Sequence, residues 1–483
     1  MKQYFDKAFS KIAVLGSGTM GGQIAAHFAN LGFEVVMFDT SHEALSKSLN
    51  MMKKLKPTPL ASQSVIGLIK TSTYDTMDVL SKCDFIIESV VENLDIKKQL
   101  FSNIAPYVND DAVLVTNTSG LSIQKIAEHS PESLRSRIFG VHFFNPPRYL
   151  PLVELIRTSF SDEKLLHKAE GFITSALGKE VVYAKDSPAF IANRIGVFSF
   201  LAVLKHAENF SLSADTVDAL TGKRVGRPAS ATFRTLDVVG LDVMSNVVKN
   251  IYENAKDDPW VELFKLPDWI DNLIAEGSLG SKTKKGIYEK IGKDIYVYDP
   301  ASDQYRLSDK TISSEVKKIL KENGNIENSL LALSKCDDSQ AQFIWSVHRD
   351  VFHYACYQLE HVAETVRCVD LALKSGFADV VAEVSVPIIP KVDTLSVDDV
   401  LLSVGGGFGG GSQTTDGKSI KFKIVDQDQN NKNYYLIRVS QFDSSFMGYL
   451  DASIGTNNLN LQDLNGLQGS TESANKLYLN DGS

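Results

Sequence analysis

A histidine with a carboxylate behind it is the simplest device a protein has for moving a proton, and one stretch of this chain contains both. In VHFFNPPRYLPLVEL, residues 141–155, His142 precedes Glu154 by twelve positions, with Pro146 and Pro147 between them. Two adjacent prolines forbid a continuous helix there. The chain must turn, and the turn can fold Glu154 back beside the imidazole. A histidine whose second ring nitrogen is held by a carboxylate has a fixed tautomer and a stabilised imidazolium, which is what proton abstraction from an alcohol requires. A histidine ahead of two phenylalanines is also commonly a hydrogen-bonded core residue, so the flanking sequence has to decide.

Upstream, the apolar run at residues 11–15 (KIAVL) reads as a buried strand. It leads into Gly16-Ser17-Gly18-Thr19-Met20-Gly21 and then a segment of helical periodicity. A glycine motif bracketed by strand and helix, followed by a second β-branched run (33–38) and Asp39, is a dinucleotide fingerprint. Gly16 makes the tight turn, Gly18 lets a pyrophosphate approach the backbone, and Gly21 lets the helix pack close to the strand. Gly16, Gly18, Thr19, Met20 and Gly21 therefore line the expected phosphate site, at the helix end that favours anions. Asp39 can accept hydrogen bonds from the adenosine ribose and repels a 2′-phosphate, so the expected cofactor is NAD.

Further strands are expected at 66–72, 84–89 and 112–116, alternating with helices, which is the pattern of a doubly wound sheet. Glu92 and Lys97 follow the fourth strand, and Asn117, Ser119 and Ser122 follow the fifth, all at the carboxyl edge where such sheets bind ligands. Ser122 reads equally well as a helix N-cap, whereas Ser119 is the better candidate for a substrate contact. The double-proline turn is expected to mark the joint at which the nucleotide domain ends.

Composition narrows the class of protein. The 483 residues allow about three domains. A hydrophobic content of 43% with 23% charged residues is that of a globular protein, and the net charge of −9 argues against a nucleic-acid partner. The four cysteines form no CxxC pair and lie beside no histidine at metal-ligand spacing, so no metal site is expected. With no secretory signal and no apolar run of about 20 residues, the expectation is a cytoplasmic protein without membrane association.

Six segments, GSGTMGGQIA, VVENLDIKK, NTSGLSI, VHFFNPPRYLPLVEL, SPAFIANRI and GRPASATFRTLDVVGLD, together resemble the L-3-hydroxyacyl-CoA dehydrogenases, the NAD enzymes of fatty-acid β-oxidation and lipid degradation. The resemblance runs from about residue 10 to 300. It implies interconversion of (S)-3-hydroxyacyl-CoA and 3-oxoacyl-CoA. It further implies His142 as general base, Glu154 as its orienting partner, and Ser119 and Asn193 as polar groups around the reacting oxygen. Asp39, Glu92 and Lys97 match the family's cofactor positions, and an acyl-CoA thioester is the implied substrate.

The expected fold is α/β, then all-α. A Rossmann-type NAD-binding domain covers residues 1–186, and a helical substrate and dimerisation domain covers 187–300, entered through an apolar helix at 188–206. A linker and partial second helical repeat (301–385) resemble a duplicate of that domain, so the helical parts imply a homodimer or pseudo-dimer. The tail, 386–483, contains the glycine linker Gly405-Gly-Gly-Phe-Gly-Gly-Gly411 and is β-rich or disordered, with strands expected at 420–425 and 434–439. Two other readings stay open: a dehydrogenase of a small hydroxy acid without coenzyme A, and a non-catalytic NAD-binding structural subunit.

Overall fold

In the computed structural model of the chain, residues 9–323 and 325–377 are described in full, together with the backbone of five tail strands. The chain forms two compact units. Among the residues described in full, the first comprises 9–194, 253–256 and 361–377, and the second 195–252 and 257–360. Residue 187 thus begins a segment that stays with the first unit as far as Arg194.

The first unit is built on an eight-stranded sheet: β1 (Lys11–Leu15), β2 (Glu34–Asp39), β3 (Ile69–Thr73), β4 (Phe85–Glu88), β5 (Val113–Thr116), β6 (Ile138–Phe143), β7 (Leu152–Ile156) and β8 (Glu180–Ala184). Its order is β3-β2-β1-β4-β5-β6-β7-β8. The first six strands are parallel and carry the dinucleotide-fold order. In β1, Ile12 and Val14 enter the core on one face, and Ala13 and Leu15 enter the core on the other. This period-two alternation explains why strands covered on both faces read as unbroken apolar runs. Helices α1 (Thr19–Asn30), α2 (His42–Lys54), α3 (Leu94–Ile104), α4 (Ile123–Glu128), α5 (Glu132–Arg135) and α6 (Glu163–Ser175) cover the sheet. Phe172 of α6 packs edge-on against Phe9 at 5.0 Å between ring centres and stacks with Phe28 of α1 at 6.2 Å.

Two sequence expectations need correction. The double-proline turn is not where the nucleotide domain ends: it joins β6 to β7, which pair antiparallel, and β7 in turn pairs with β8. Residues 188–191 are not helical either. Ala189 and Phe190 both adopt left-handed backbone angles (φ 64° and 52°), and α7 begins at Ala192. The cause is a competing partner for the backbone, since the amides of Ile191 and Ala192 are turned toward a buried carboxylate.

The second unit is mainly helical. It contains most of α7 (Ala192–Asn209), then α8 (Ala214–Leu220), α9 (Phe233–Val239), most of α10 (Leu241–Asn254), α11 (Asp268–Ala275), α12 (Ser314–Glu322), α13 (Ile326–Ser334) and most of α14 (Ser339–Val362). Asp218 of α8 accepts hydrogen bonds from the amides of Thr232, Phe233 and Arg234, fastening the turn into α9. Helices α7 and α14 pack along each other in opposite directions: Phe198 stacks on Tyr354 at 3.8 Å, His206 bonds Asp350 at 2.7 Å, and Phe210 meets Phe343 at 6.1 Å. A three-stranded antiparallel sheet, β9 (Tyr288–Ile291), β10 (Asp294–Asp299) and β11 (Gln304–Leu307), occupies a region the sequence reading leaves without strands. Among the described residues no helix is long and apolar enough to cross a membrane.

After α14 the chain returns to the first unit as α15 (Val366–Phe377), where Gly376 lies against Leu152 and Ala192. In the tail, β12 (Val400–Gly405) pairs with β15 (Tyr449–Ile454), while β13 (Lys421–Gln427), β14 (Asn433–Val439) and β16 (Asn475–Asn480) form a second sheet. These strands include the two expected from sequence. The glycine linker beyond Gly405 lies outside the described residues.

Candidate active site

The glycine loop has the geometry its sequence demands. Gly16 has φ 102°, and a Cβ there would sit 2.5 Å from the carbonyl oxygen of Ser89; a Cβ on Gly21 would sit 2.0 Å from that of Gly16. Gly18 differs, because a Cβ on it would meet nothing within 4 Å. Its backbone therefore faces open space at the start of α1, where no side chain caps the helix and the first-turn amides of Thr19, Met20 and Gly21 have no intrahelical acceptor. These residues fit a dinucleotide pyrophosphate.

Asp39 closes β2. One carboxylate oxygen takes the amide (2.8 Å) and hydroxyl of Ser17, and the other takes the amide of Thr40 at 2.7 Å. Burial by itself would raise the Asp39 pKa; the hydrogen bonds from Ser17 and Thr40 more than offset it and hold the carboxyl below its usual range. The Thr40 hydroxyl is a fourth, longer donor at 3.3 Å, so the roughly four acceptor positions of an ionised carboxylate are taken and a ribose hydroxyl would replace one of these contacts.

The acid–base pair lies in the sheet itself. His142 and Glu154 are register partners in the antiparallel β6–β7 ladder, with both side chains buried. The imidazole Nδ1 is 2.7 Å from Glu154 Oε2. Glu154 Oε1 accepts from the amides of Ile191 at 3.0 Å and Ala192 at 2.8 Å, which explains the left-handed turn at 189–190. With one oxygen engaged by two backbone amides, the other is fixed on His142. The ring must then carry its proton on Nδ1, leaving Nε2 to accept. Phe144 and Phe190 flank the imidazole at 4.5 and 5.6 Å between ring centres.

Asn117 and Asn193 are connected to this pair through the backbone. Asn117 accepts from the amide of Phe143 at 2.8 Å, tying the end of β5 to the residue after His142. Ser119 follows two residues later and is half-buried, with no hydrogen-bond partner for its hydroxyl among the described residues. Asn193 is the second residue of α7, directly after the two amides that hold Glu154. Ser122 is the N-cap of α4, as its alternative reading had it, and also donates to Asp186 at 2.7 Å.

Glu92 and Lys97 are joined to each other at 3.5 Å. Lys97 is closer still to Glu88, at 2.6 Å, and that glutamate is fully buried at the end of β4. Sequence reasoning passed over Glu88 because it sits inside the strand pattern DFIIES and looked like a terminal strand residue. It also passed over Asn145, whose side chain accepts from Gln23 of α1 at 2.9 Å, and Lys179, which donates to the carbonyls of Pro147 and Leu150. The available signal was their polarity inside apolar surroundings.

Comparison with known proteins identifies the family. Residues 11–187 match the family model described as 3-hydroxyacyl-CoA dehydrogenase, NAD binding domain, and residues 190–290 match that of the same family's C-terminal domain. The chain belongs to the 3-hydroxyacyl-CoA dehydrogenase family. A probable 3-hydroxyacyl-CoA dehydrogenase of Bacillus subtilis is 37% identical over 393 residues, which are 77% of this chain and 50% of the relative. One of Deinococcus radiodurans is 37% identical over 288 residues, covering 58% of this chain and 82% of the relative. The chain thus spans half the length of the Bacillus dehydrogenase. The crystal structure of 3-hydroxybutyryl-CoA dehydrogenase from Escherichia coli K12 has the same fold, with a TM-score of 0.58 over 77% of this chain and 89% of that one, at 20% identity.

Proposed function

We propose that this protein interconverts (S)-3-hydroxyacyl-CoA and 3-oxoacyl-CoA thioesters with NAD. The observation that carries the proposal is the buried His142–Glu154 pair, its tautomer fixed by two backbone amides, in the same unit as a dinucleotide glycine loop whose Ser17 is bonded to Asp39 at the end of β2. Bound NAD supplies the hydride acceptor. His142 Nε2 takes the proton of the C3 hydroxyl, and Glu154 stabilises the imidazolium that results. In reduction the imidazolium donates to the keto oxygen as charge develops there. Ser119 and Asn193 supply further donors to that oxygen, while Gly16, Gly18, Thr19, Met20 and Gly21, with Asp39, Glu92, Lys97 and Asn117, form the cofactor side.

The antiparallel packing of α7 against α14 supports the reading of residues 301–385 as a partial second copy that faces the first as a dimer partner would. A cytoplasmic location, inferred from the four reduced cysteines, belongs to the same proposal.

The test is to mix the purified full chain with NADH and acetoacetyl-CoA, then with acetoacetate alone, and follow the cofactor absorbance. Oxidation with the thioester only is the expected result. Oxidation with the free acid would favour a small hydroxy-acid dehydrogenase, and binding of NADH without turnover would favour a structural subunit. His142→Ala is expected to lower kcat by about 10²–10⁴ with NADH binding intact.

A further inference from the structure

One buried charge cluster in the first unit contains a residue, Glu88, with no part in the chemistry described so far. Glu88 stands at the carboxyl end of β4 and is 0% exposed, and Lys97 on α3 is 1% exposed. Every oxygen of Glu88 is engaged by the protein: Oε1 accepts from Lys97 Nζ at 2.6 Å and from the amide of Val90 at 2.7 Å, Oε2 accepts from Thr116 Oγ1 at 2.5 Å, and its carbonyl accepts from the amide of Asn117 at 2.8 Å. A lone buried ammonium is costly, so Lys97 is held where Glu88 holds it. From that position the ammonium reaches Glu92 Oε2 at 3.5 Å.

Glu92 passes the restraint on to a loop. Its Oε1 accepts from Thr118 Oγ1 and from the amides of Ser119 (3.1 Å), Gly120 (2.8 Å) and Leu121 (3.3 Å). Burial alone would raise the Glu92 pKa; the Lys97 ammonium and the donors on Thr118, Gly120 and Ser119 more than offset it, so the carboxyl lies below its usual range. The backbone on either side of the Ser119 side chain is therefore clasped by a carboxylate whose own place depends on Lys97, and that of Lys97 on Glu88.

We propose that Glu88 is a positioning residue for Ser119, acting through Lys97 and Glu92. A structural ion pair would hold β4 to α3. This one also sets the loop that offers a hydroxyl at the ligand-binding edge of the sheet. Two further contacts tie it to that loop directly, since Thr116 donates to Glu88 and accepts from the amide of Thr118 at 3.3 Å. The proposal rests on the hydroxyacyl-CoA reading only in taking Ser119 to face the substrate.

The experiment is Glu88→Gln in the full chain, alone and combined with Ser119→Ala. Displacement of a positioned group by a fraction of an ångström is expected to lower kcat with acetoacetyl-CoA about 10-fold. In the Ser119→Ala background the same change is expected to cost less than about twofold, because coupled residues are not additive. Amide exchange of Ser119 and Gly120 is expected to rise about 10-fold, with the amides of β1 unchanged. Equal losses in both backgrounds, or unchanged exchange at 119–120, would overturn the proposal. Glu88→Asp keeps the charge and shortens the reach, and it serves should the glutamine variant fail to fold. If the wild type does not turn over acetoacetyl-CoA, the parent reading fails; the exchange measurement still decides whether Glu88 sets the loop.

Discussion

Glu154→Gln separates the charge of the orienting group from its shape. The amide can keep its oxygen on the amides of Ile191 and Ala192, so the turn at 189–190 retains its anchor. Its nitrogen then faces Nδ1 of His142, across a contact that is 2.7 Å in the parent. An NH₂ group there can only donate, which forces the imidazole proton onto Nε2 and removes the lone pair that must accept from the substrate. The lost charge adds to this: two unit charges with centres roughly 4 Å apart attract by about 4 kcal/mol at an effective dielectric constant of about 20. At about 1.4 kcal/mol per decade of rate, this bounds the effect near three decades. We expect kcat for NADH oxidation with acetoacetyl-CoA to fall about 10²–10³-fold, while thermal stability changes by about 1 kcal/mol. A glutamine variant within fivefold of wild type would refute the assignment of Glu154 as orienting partner, whatever the fate of His142.

Three further outcomes follow from the first unit. His27 on α1 is buried and its Nε2 has no hydrogen-bond partner among the described residues; burial first, then the charge of Lys179, lower its pKa from 6.5 to about 4. Because the unfolded chain binds this proton more readily, the stability it contributes is present above about pH 6.5 and lost as pH falls through about 4, a change of about 3 kcal/mol. Denaturant melts from pH 7 to 4 should show His27→Leu gaining on wild type by about that amount; parallel profiles would remove His27 as the cause. Asp39→Asn gives up a charged acceptor for the ribose and the repulsion of a 2′-phosphate, so KM for NADH is expected to rise about 10-fold and the preference over NADPH to narrow, measured by initial rates with each cofactor. Gly376→Leu drives a side chain into Leu152, which a Cβ alone would approach to 2.6 Å; it should cost about 1–3 kcal/mol and raise amide exchange along α15.

What the sequence reveals and what it withholds have physical causes. The glycine loop, Asp39 and the alternation of strand and helix were legible because each depends on local rules: a turn that only glycine can make, a carboxylate one strand away, and a period of two or 3.6 residues. His142 and Glu154 were legible as a pair, whereas their union across a ladder was not, since strand pairing is set by tertiary register. The helix start at Ala192 was misread as Pro188 because local propensity favours helix there, and it is Glu154, distant in sequence, that draws two amides out of it. Glu88 was invisible for the same reason. Nothing near it in sequence announces that a lysine nine residues on will be buried against it.

The register of His142 opposite Glu154 bears on how such a site can vary. Both groups are fixed by rungs of one ladder, so the eight residues joining Phe143 to Leu152 are not required to bring them together. The connection can lengthen, shorten or change its surface, and the proton-handling pair stays at the same spacing as long as the strands keep step. A single-residue slip would instead turn one partner to the opposite face of the sheet. Change in the loop can therefore proceed while the paired side chains are inherited with the strands.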